Sequence, residues 1–518
     1  MHQVNNLNSQ EDMPEDSCLK FLQRRERRTI IILCILAMAR IFVFGAAFPF
    51  FNNVDEQMHF DTIVKYARGY LPHAGNDYFD YESAKLITTY GTWEYFHSAN
   101  EFPGGTVLSP LWTAPQEQTS VYIKQGIKML TGIKNLEAFS PPVYYLLLGV
   151  WYNVGRLIKC NGLLLLYWLR FFNVLIYGLL VWCSYLLCKS FFRNNDFLRI
   201  AVPLLLVFFP QDLFYTLNCD TLSALFFVLS LLGLSRLTTS ERPAAVYYYP
   251  LAGIVVASTF LIKLTNIVVY FPLFVYFLLL LRRFHNERRL KEQIPHLALL
   301  LLAATVPVAL WIGWNISAIG DATGTADKVL MAKLTIRPVT ELFCHPVFTA
   351  HGFVNFLRGL LTTFWRGELI WGLKSLSWAI MDSFYVFSSL FLIVFCMTYL
   401  AVRRKKLSHI AFFNYSLFFA CIAAYVAVLV SLSIRFDFSH YIWLPSSTFY
   451  FSSGRLIAGA FVPFLCLYAH GIQALCALVN RRISPLVIIA IIGIFIMIAE
   501  IAIKIVVFKS AYNFYHIL

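Results

Sequence analysis

Long apolar runs alternate with short polar or basic stretches along most of the chain, and this alternation sets the first expectation. Apolar segments occur at 29–51, 141–158, 163–192, 198–213, 222–237, 249–281, 297–317, 376–402, 410–434, 456–479 and 485–508. Many approach or exceed the length a helix needs to cross the hydrocarbon of a bilayer. They predict an all-α polytopic membrane protein with about eleven transmembrane helices, within a range of roughly ten to thirteen. Two polar stretches, 52–139 and 318–375, interrupt the pattern. A structureless loop of such length is improbable unless it is functional, so both are expected on one outer face, built of short amphipathic helices lying on the bilayer, the first over 55–68.

The organisation expected is therefore a cytoplasmic tail over 1–28, a transmembrane module over 29–317 that includes the outer loop 52–139, a second outer loop over 318–375, and C-terminal transmembrane helices over 376–518. The first span is expected to remain as an anchor, because mostly polar residues precede it and it exceeds an ordinary signal core. One segment is ambiguous. Lys263, Thr265 and Asn266 could split 249–281 into two short passes, which would reverse the side of the first loop; one long or broken span is preferred. That preference puts Lys189, Arg193 and Arg199 in an outer loop, against the usual bias of basic residues to the cytoplasm.

Composition narrows the classes further. With 59% hydrophobic and 14% charged residues the chain does not fit a globular protein in water. The net charge of +14 is gathered in Arg24-Arg25-Glu26-Arg27-Arg28, 282–291, 403–406 and Arg481-Arg482, beside apolar spans. There the basic residues act as cytoplasmic topology markers and lipid contacts, and nucleic acid is not an expected partner. Eleven cysteines, among them Cys34, Cys183, Cys396, Cys421 and Cys466, are scattered without a CxxC pair and read as small apolar residues.

Candidate chemistry begins directly after the first span, at Asp55-Glu56-Gln57-Met58-His59. A helix starting near Val54 would put Asp55 and His59 on one face, with Glu56 turned by about 100°. A carboxylate at the water-lipid border can take a proton from an attacking hydroxyl, while its neighbour or the histidine holds a metal-bound phosphate or orients substrate. The same two acids also suit the first turn of an interfacial helix as caps. Lys263 inside an apolar segment is either a phosphate contact or a snorkelling side chain. Asn218 and Asp220 either close a polar pocket or cap the helix that follows, and Arg455 either meets a phosphate or anchors its span at the interface. In the second polar stretch, His345, His351, Arg358, Trp365, Arg366, Glu368 and Trp371 form either a lid with aromatic faces for a sugar or part of an aromatic belt. No Walker A, GxSxG, HExxH or zinc-like spacing occurs.

The order of these features resembles the GT-C glycosyltransferases, among them the protein O-mannosyltransferases and the lipid A aminoarabinose transferases. The Ser140-Pro141-Pro142-Val143-Tyr144-Tyr145 segment looks like the Pro-Pro-Leu-Tyr-Tyr that often follows the first loop in those enzymes. More similar still is a bacterial branch with an Asp-Glu-x-x-His opening, matched by Asp55 to His59. Its further motifs are matched by Asn218-Cys219-Asp220 after Pro210, by Lys263-Leu264-Thr265 and by Gly454-Arg455, although Leu456 stands where a Tyr commonly follows.

The resemblance implies a GT-C-like fold with two large outer loops and an inverting transfer of sugar from a polyprenyl-phosphate donor to a hydroxyl on a glycan, lipid or protein acceptor. It implies Asp55 as base with Glu56 beside it, and substrate contacts from His59, Asn218, Asp220, Lys263 and Arg455, to which the second polar stretch adds Arg366 as a candidate. Glu56 and His59 are the candidate ligands for a divalent cation, Mg or Mn, should one be used. The implied location is the bacterial inner membrane, with the endoplasmic reticulum as the alternative. A transporter or flippase of a lipid-linked sugar or another amphipathic solute is the rival class, since the same polar residues could line a path.

Overall fold

The computed structural model describes residues 25–51, 55–71, 73, 75, 77–95, 97–102, 105–239, 245–440, 450–479 and 484–514. The expected tail up to residue 24, Asn52 to Val54 and the Arg481-Arg482 pair lie outside them. Among the described residues the chain forms eighteen α-helices. In order they are α1 (Glu26–Ala47), α2 (Glu56–Ala67), α3 (Tyr81–Tyr90), α4 (Gln116–Thr131), α5 (Val143–Leu157), α6 (Leu163–Arg170), α7 (Phe172–Phe191), α8 (Asp196–Val207) and α9 (Asp220–Thr239). They continue with α10 (Tyr248–Phe260), α11 (Tyr270–Asn286), α12 (Leu290–Ile319), α13 (Ala326–Met331), α14 (Ala350–Arg366), α15 (Ala379–Val402), α16 (His409–Arg435), α17 (Phe461–Val479) and α18 (Pro485–Phe508). Nine helical stretches among the described residues are long and apolar enough to cross a membrane. The protein is an all-α polytopic membrane protein; its only strands among these residues are two-residue pairs such as Thr335–Ile336 with Phe436–Asp437.

Two further crossings come from segments that are individually too short. The helix α8 stops at Val207, and the chain completes its pass as an extended, 3-10-containing stretch to Asp220. Non-helical backbone at membrane depth is tolerated only when protein groups satisfy it. Here polar side chains from three other helices do so. Tyr177 donates to the Leu206 carbonyl at 2.6 Å, Arg40 to Phe209 at 2.8 Å, Lys504 to Pro210 at 3.3 Å and Asn173 to Thr216 at 2.7 Å.

The second case settles the ambiguous segment 249–281 as two passes. Lys263 meets Asp220 at the start of α9 at 2.6 Å, Thr259 meets Ser230 midway at 2.9 Å, and Arg236 reaches the Tyr248 hydroxyl at the far end at 3.3 Å. On the return, Arg283 of α11 donates to the carbonyl of Thr238 at 3.0 Å. Both α10 and α11 therefore run the length of α9, and their turn lies at Lys263. Asn266 stabilises that turn by donating to the Thr259 carbonyl at 3.0 Å and to Ser223 at 2.9 Å.

A compensating difference occurs at 141–158, expected as a span. Its helix α5 has 15 residues and packs on α2, with Asn153 donating to the Ala67 carbonyl at 2.8 Å. It turns back into α6 through Trp151 and Trp168, whose rings stack at 4.2 Å while each indole donates to the other's carbonyl. Arg170 at the end of α6 reaches the Gly45 carbonyl where α1 ends, so the hairpin leaves on the side where it entered. The two differences cancel in the count of about eleven crossings. They also remove the conflict over Lys189, Arg193 and Arg199: Arg199 pairs with Glu26, and Asn414 at the start of α16 bonds the Phe191 carbonyl. These basic residues thus share one end of the bundle with Arg25, Arg27, Arg28, the 282–291 cluster and 403–406.

The opposite, loop-bearing end holds the two long polar stretches. The helix α2 starts one residue later than expected and is amphipathic, but Glu56, His59, Phe60 and Asp61 are buried in protein. It is a packed element of the loop end, because α5 covers the face that was expected to meet lipid.

Candidate active site

At the loop end, four separate segments bring acids and bases together around Arg455. Its guanidinium lies 3.2 Å from Asp55, 3.1 Å from Glu368 and 3.7 Å from Asp220, and Asp220 also holds Lys263 at 2.6 Å. Glycines permit two of these approaches. Gly454 lies against α14 so closely that a Cβ would sit 2.0 Å from the Phe364 nitrogen, and its own N–H donates to Thr363 at 2.7 Å. Gly367, at φ +84°, turns the chain out of α14 to Glu368, and a Cβ there would collide with the Asp212 carboxylate.

Asp55 itself adopts a left-handed conformation, φ 64°, which aspartate tolerates better than most residues. Its side chain makes no capping bond to the helix it precedes; its backbone carbonyl accepts from His59 instead, at 3.0 Å. The carboxylate turns to Arg455 and stays 35% exposed. Capping, the bland explanation of this acid, is therefore not its role.

Glu56, one residue on, points the other way and is fully buried. Arg170 grips both its oxygens at 2.8 and 2.9 Å, and the N–H groups of Phe51 and Leu217 donate to it at 2.8 and 2.9 Å. One carboxylate thereby ties the segment before Asp55 to the segment leading to Asp220. Asn218 supports the same junction by accepting from the Asp220 N–H at 2.9 Å. One oxygen of Asp220, Oδ1, is buried without a hydrogen-bond partner among the described residues.

His59 lies beside the cluster, its Nδ1 2.8 Å from the Tyr145 hydroxyl. That hydroxyl donates to Glu137 at 3.3 Å, and Lys328 from the second long loop meets Glu137 at 2.8 Å. Burial pushes the His59 pKa down to about 4, against the pull of Glu137 and Asp55. Glu137 is mostly enclosed, which alone would raise its pKa, but the Lys328 ammonium and His59 hold it well below the usual carboxylate range.

Of the residues singled out in the sequence, Asp55, Asp220, Lys263 and Arg455 meet in one cluster, with His59 and Asn218 adjoining. Arg366 does not join them. It binds Asp382 at 2.8 Å and lines a separate small cavity with Asp212, Tyr385, Glu500 and Lys504. Glu368, two residues further along, reaches Arg455 in its stead. Glu56 does not fit the role of a metal ligand, since Arg170 and backbone N–H groups saturate it, whereas the Tyr145 hydroxyl engages only Nδ1 of His59. Among the described residues no group of three or more His, Cys, Asp or Glu side chains is arranged to hold a metal ion. Arg170 escaped the sequence reading altogether, although a charged residue within the apolar run 163–192 is itself a functional signal.

Residues 166–311 match the family of dolichyl-phosphate-mannose-protein mannosyltransferases. The match supports membership of the GT-C superfamily. It covers less than a third of the chain, running from α6 into α12, and includes Arg170, Asn218, Asp220 and Lys263 but neither Asp55 nor Arg455. In general terms it supports a membrane glycosyltransferase that uses a lipid-phosphate-linked sugar. Comparison with curated proteins and with solved structures returns no match.

Proposed function

We propose that this GT-C-type protein transfers a sugar from a polyprenyl-phosphate donor to a hydroxyl acceptor on the non-cytoplasmic side of its membrane, with inversion at the anomeric carbon and Asp55 as base. The observation that carries the reading is the placement of Asp55: one third open, free of capping duty, and bonded to an arginine that two other acids and Lys263 surround. Sidedness follows from charge. Basic residues gather at the end opposite this cluster, and such residues are retained in the cytoplasm.

In the proposed step the acceptor oxygen attacks the anomeric carbon, its proton passes to the Asp55 carboxylate, and the bond from that carbon to the phosphate oxygen breaks. The polyprenyl phosphate leaves with an added negative charge. Protonated Asp55 then competes less strongly for Arg455, so the guanidinium is released toward the leaving phosphate as that charge develops, with Lys263 beside it. The sugar-phosphate bond supplies the energy, and the chain's task reduces to positioning, proton transfer and charge compensation. No step here depends on a metal ion.

The test uses the purified full chain with a labelled polyprenyl-phosphate sugar. Asp55→Asn is expected to lower transfer by about 10²- to 10⁴-fold, the usual contribution of a general base, with the thermal midpoint unchanged. Wild-type turnover in that variant discards Asp55 as base, and movement of the donor across the bilayer without covalent product would support transport instead.

A further inference from the structure

The outward side of α15 carries a groove that the proposed reaction does not use. Ser383, Val386, Phe387, Leu390, Phe391 and Val394 line it, Arg358 of α14 closes one edge, and its volume is about 540 Å³. The groove continues the lipid-facing surface of the span: Phe387 is 71% and Val394 63% exposed. Along the same helix Phe387, Phe391, Phe395 and Tyr399 stack at successive i, i+4 positions, with centroids 5.9, 5.8 and 6.4 Å apart.

Arg358 is exposed and makes no ion pair among the described residues. A guanidinium beside the outward phenylalanines of a membrane span is unfavourable unless an anion meets it. A lipid is the class of molecule that brings a phosphate and a long apolar chain to one place, and arginine suits phosphate by its fork of donors.

We propose that this groove is a binding site for one diacyl phospholipid with an anionic headgroup, its phosphate on Arg358 and one acyl chain along Phe387 and Phe391. The sugar donor is not the occupant. Phe356, Leu360 and Phe364, on roughly the opposite face of α14, are buried in the protein and separate Arg358 from the Arg455 cluster. A donor phosphate has to reach that cluster. The phospholipid instead braces α14, whose end leads through Gly367 to Glu368. Only the exclusion of the sugar donor rests on the proposed transfer reaction; the lipid site itself does not, so either can fail alone.

The experiment is native mass spectrometry of the full chain in detergent, titrated with an equimolar mixture of phosphatidylglycerol and phosphatidylcholine. Wild type is expected to retain phosphatidylglycerol over phosphatidylcholine by about fivefold, the effect of one basic residue near a headgroup. Arg358→Gln should remove that preference, and Phe387→Ala should reduce retention of both lipids. Equal retention by wild type, an undiminished preference in Arg358→Gln, unchanged retention in Phe387→Ala, or displacement of phosphatidylglycerol by equimolar polyprenyl phosphate would each overturn the proposal.

Discussion

Around Arg455, three of the four side chains it meets or adjoins remain partly open: Asp55, Glu368 and Lys263 are 35, 28 and 19% exposed, and Asp220 alone is closed off. Around Glu500, by contrast, Arg40 and Lys504 close in with 4% of each side chain exposed and 1% of the acid. Glu500 accepts from Arg40 at 2.7 Å, Lys504 at 2.8 Å and Tyr215 at 2.7 Å, which leaves little for any further partner. The acids around Arg455 stand farther off, at 3.1 to 3.7 Å, and two of the three are partly open to solvent. The same side-chain types thus serve two ends. One cluster clamps the broken crossing at 208–219 through Arg40 and Lys504; the other stays partly open, as the proposed reaction requires.

The largest expected effect on stability therefore belongs to the closed cluster. Glu500→Ala leaves two buried cations unpaired and should cost about 3–5 kcal/mol. The check is the thermal midpoint in detergent beside that of Asp55→Asn, whose side chain is partly exposed. Equal midpoints for the two variants would erase the distinction between clamp and site.

The closed cluster also shows where sequence reading loses sight of the fold. Hydrophobic length gave the class of protein and about the right number of crossings, because bilayer thickness is a direct constraint on the chain. It could not tell α5, which packs on α2, from a crossing helix, since protein and lipid make equally apolar surroundings. Lys263 and Asn266 were visible as an interruption, but only the partners Asp220, Ser223 and Thr259 show that the interruption is a turn. In the site, Asp55, Asp220, Lys263 and Arg455 stood out as polar residues next to apolar runs. Glu368 was less legible beside Arg366, because the choice between them depends on the turn at Gly367. Arg170 and Glu56 make a pair over 114 positions of sequence, a contact no local pattern can reveal.

A second difference between open and buried groups concerns acid. His59 is 1% exposed, and burial lowers its pKa from 6.5 to about 4. Below pH 6.5 the unfolded chain binds a proton that the folded chain refuses until about pH 4. Stability should therefore fall as pH drops across that window, by up to about 3 kcal/mol at roughly 1.4 kcal/mol for each pH unit. Unfolding midpoints from pH 7 to pH 4 measure it, with His59→Gln as the reference. If the variant loses stability as steeply as wild type, the buried imidazole is not the source.

The smallest expected effect sharpens the reading of the open cluster. Glu368 and a donor phosphate would compete for the Nε side of Arg455, where the carboxylate now sits at 3.1 Å. Glu368→Gln removes that competing charge without removing the side chain. Because the pair is partly exposed, its contribution to stability is small: the variant's unfolding free energy should stay within about 1 kcal/mol of wild type, with little movement of the thermal midpoint. Donor binding should tighten by about two- to fivefold, the range that a partly exposed ion pair can supply. Competition with a labelled polyprenyl phosphate measures it. Weaker binding would mean that Glu368 orients Arg455 for the phosphate, and the cluster would then be a fixed frame like the one around Glu500 instead of a set of exchangeable partners.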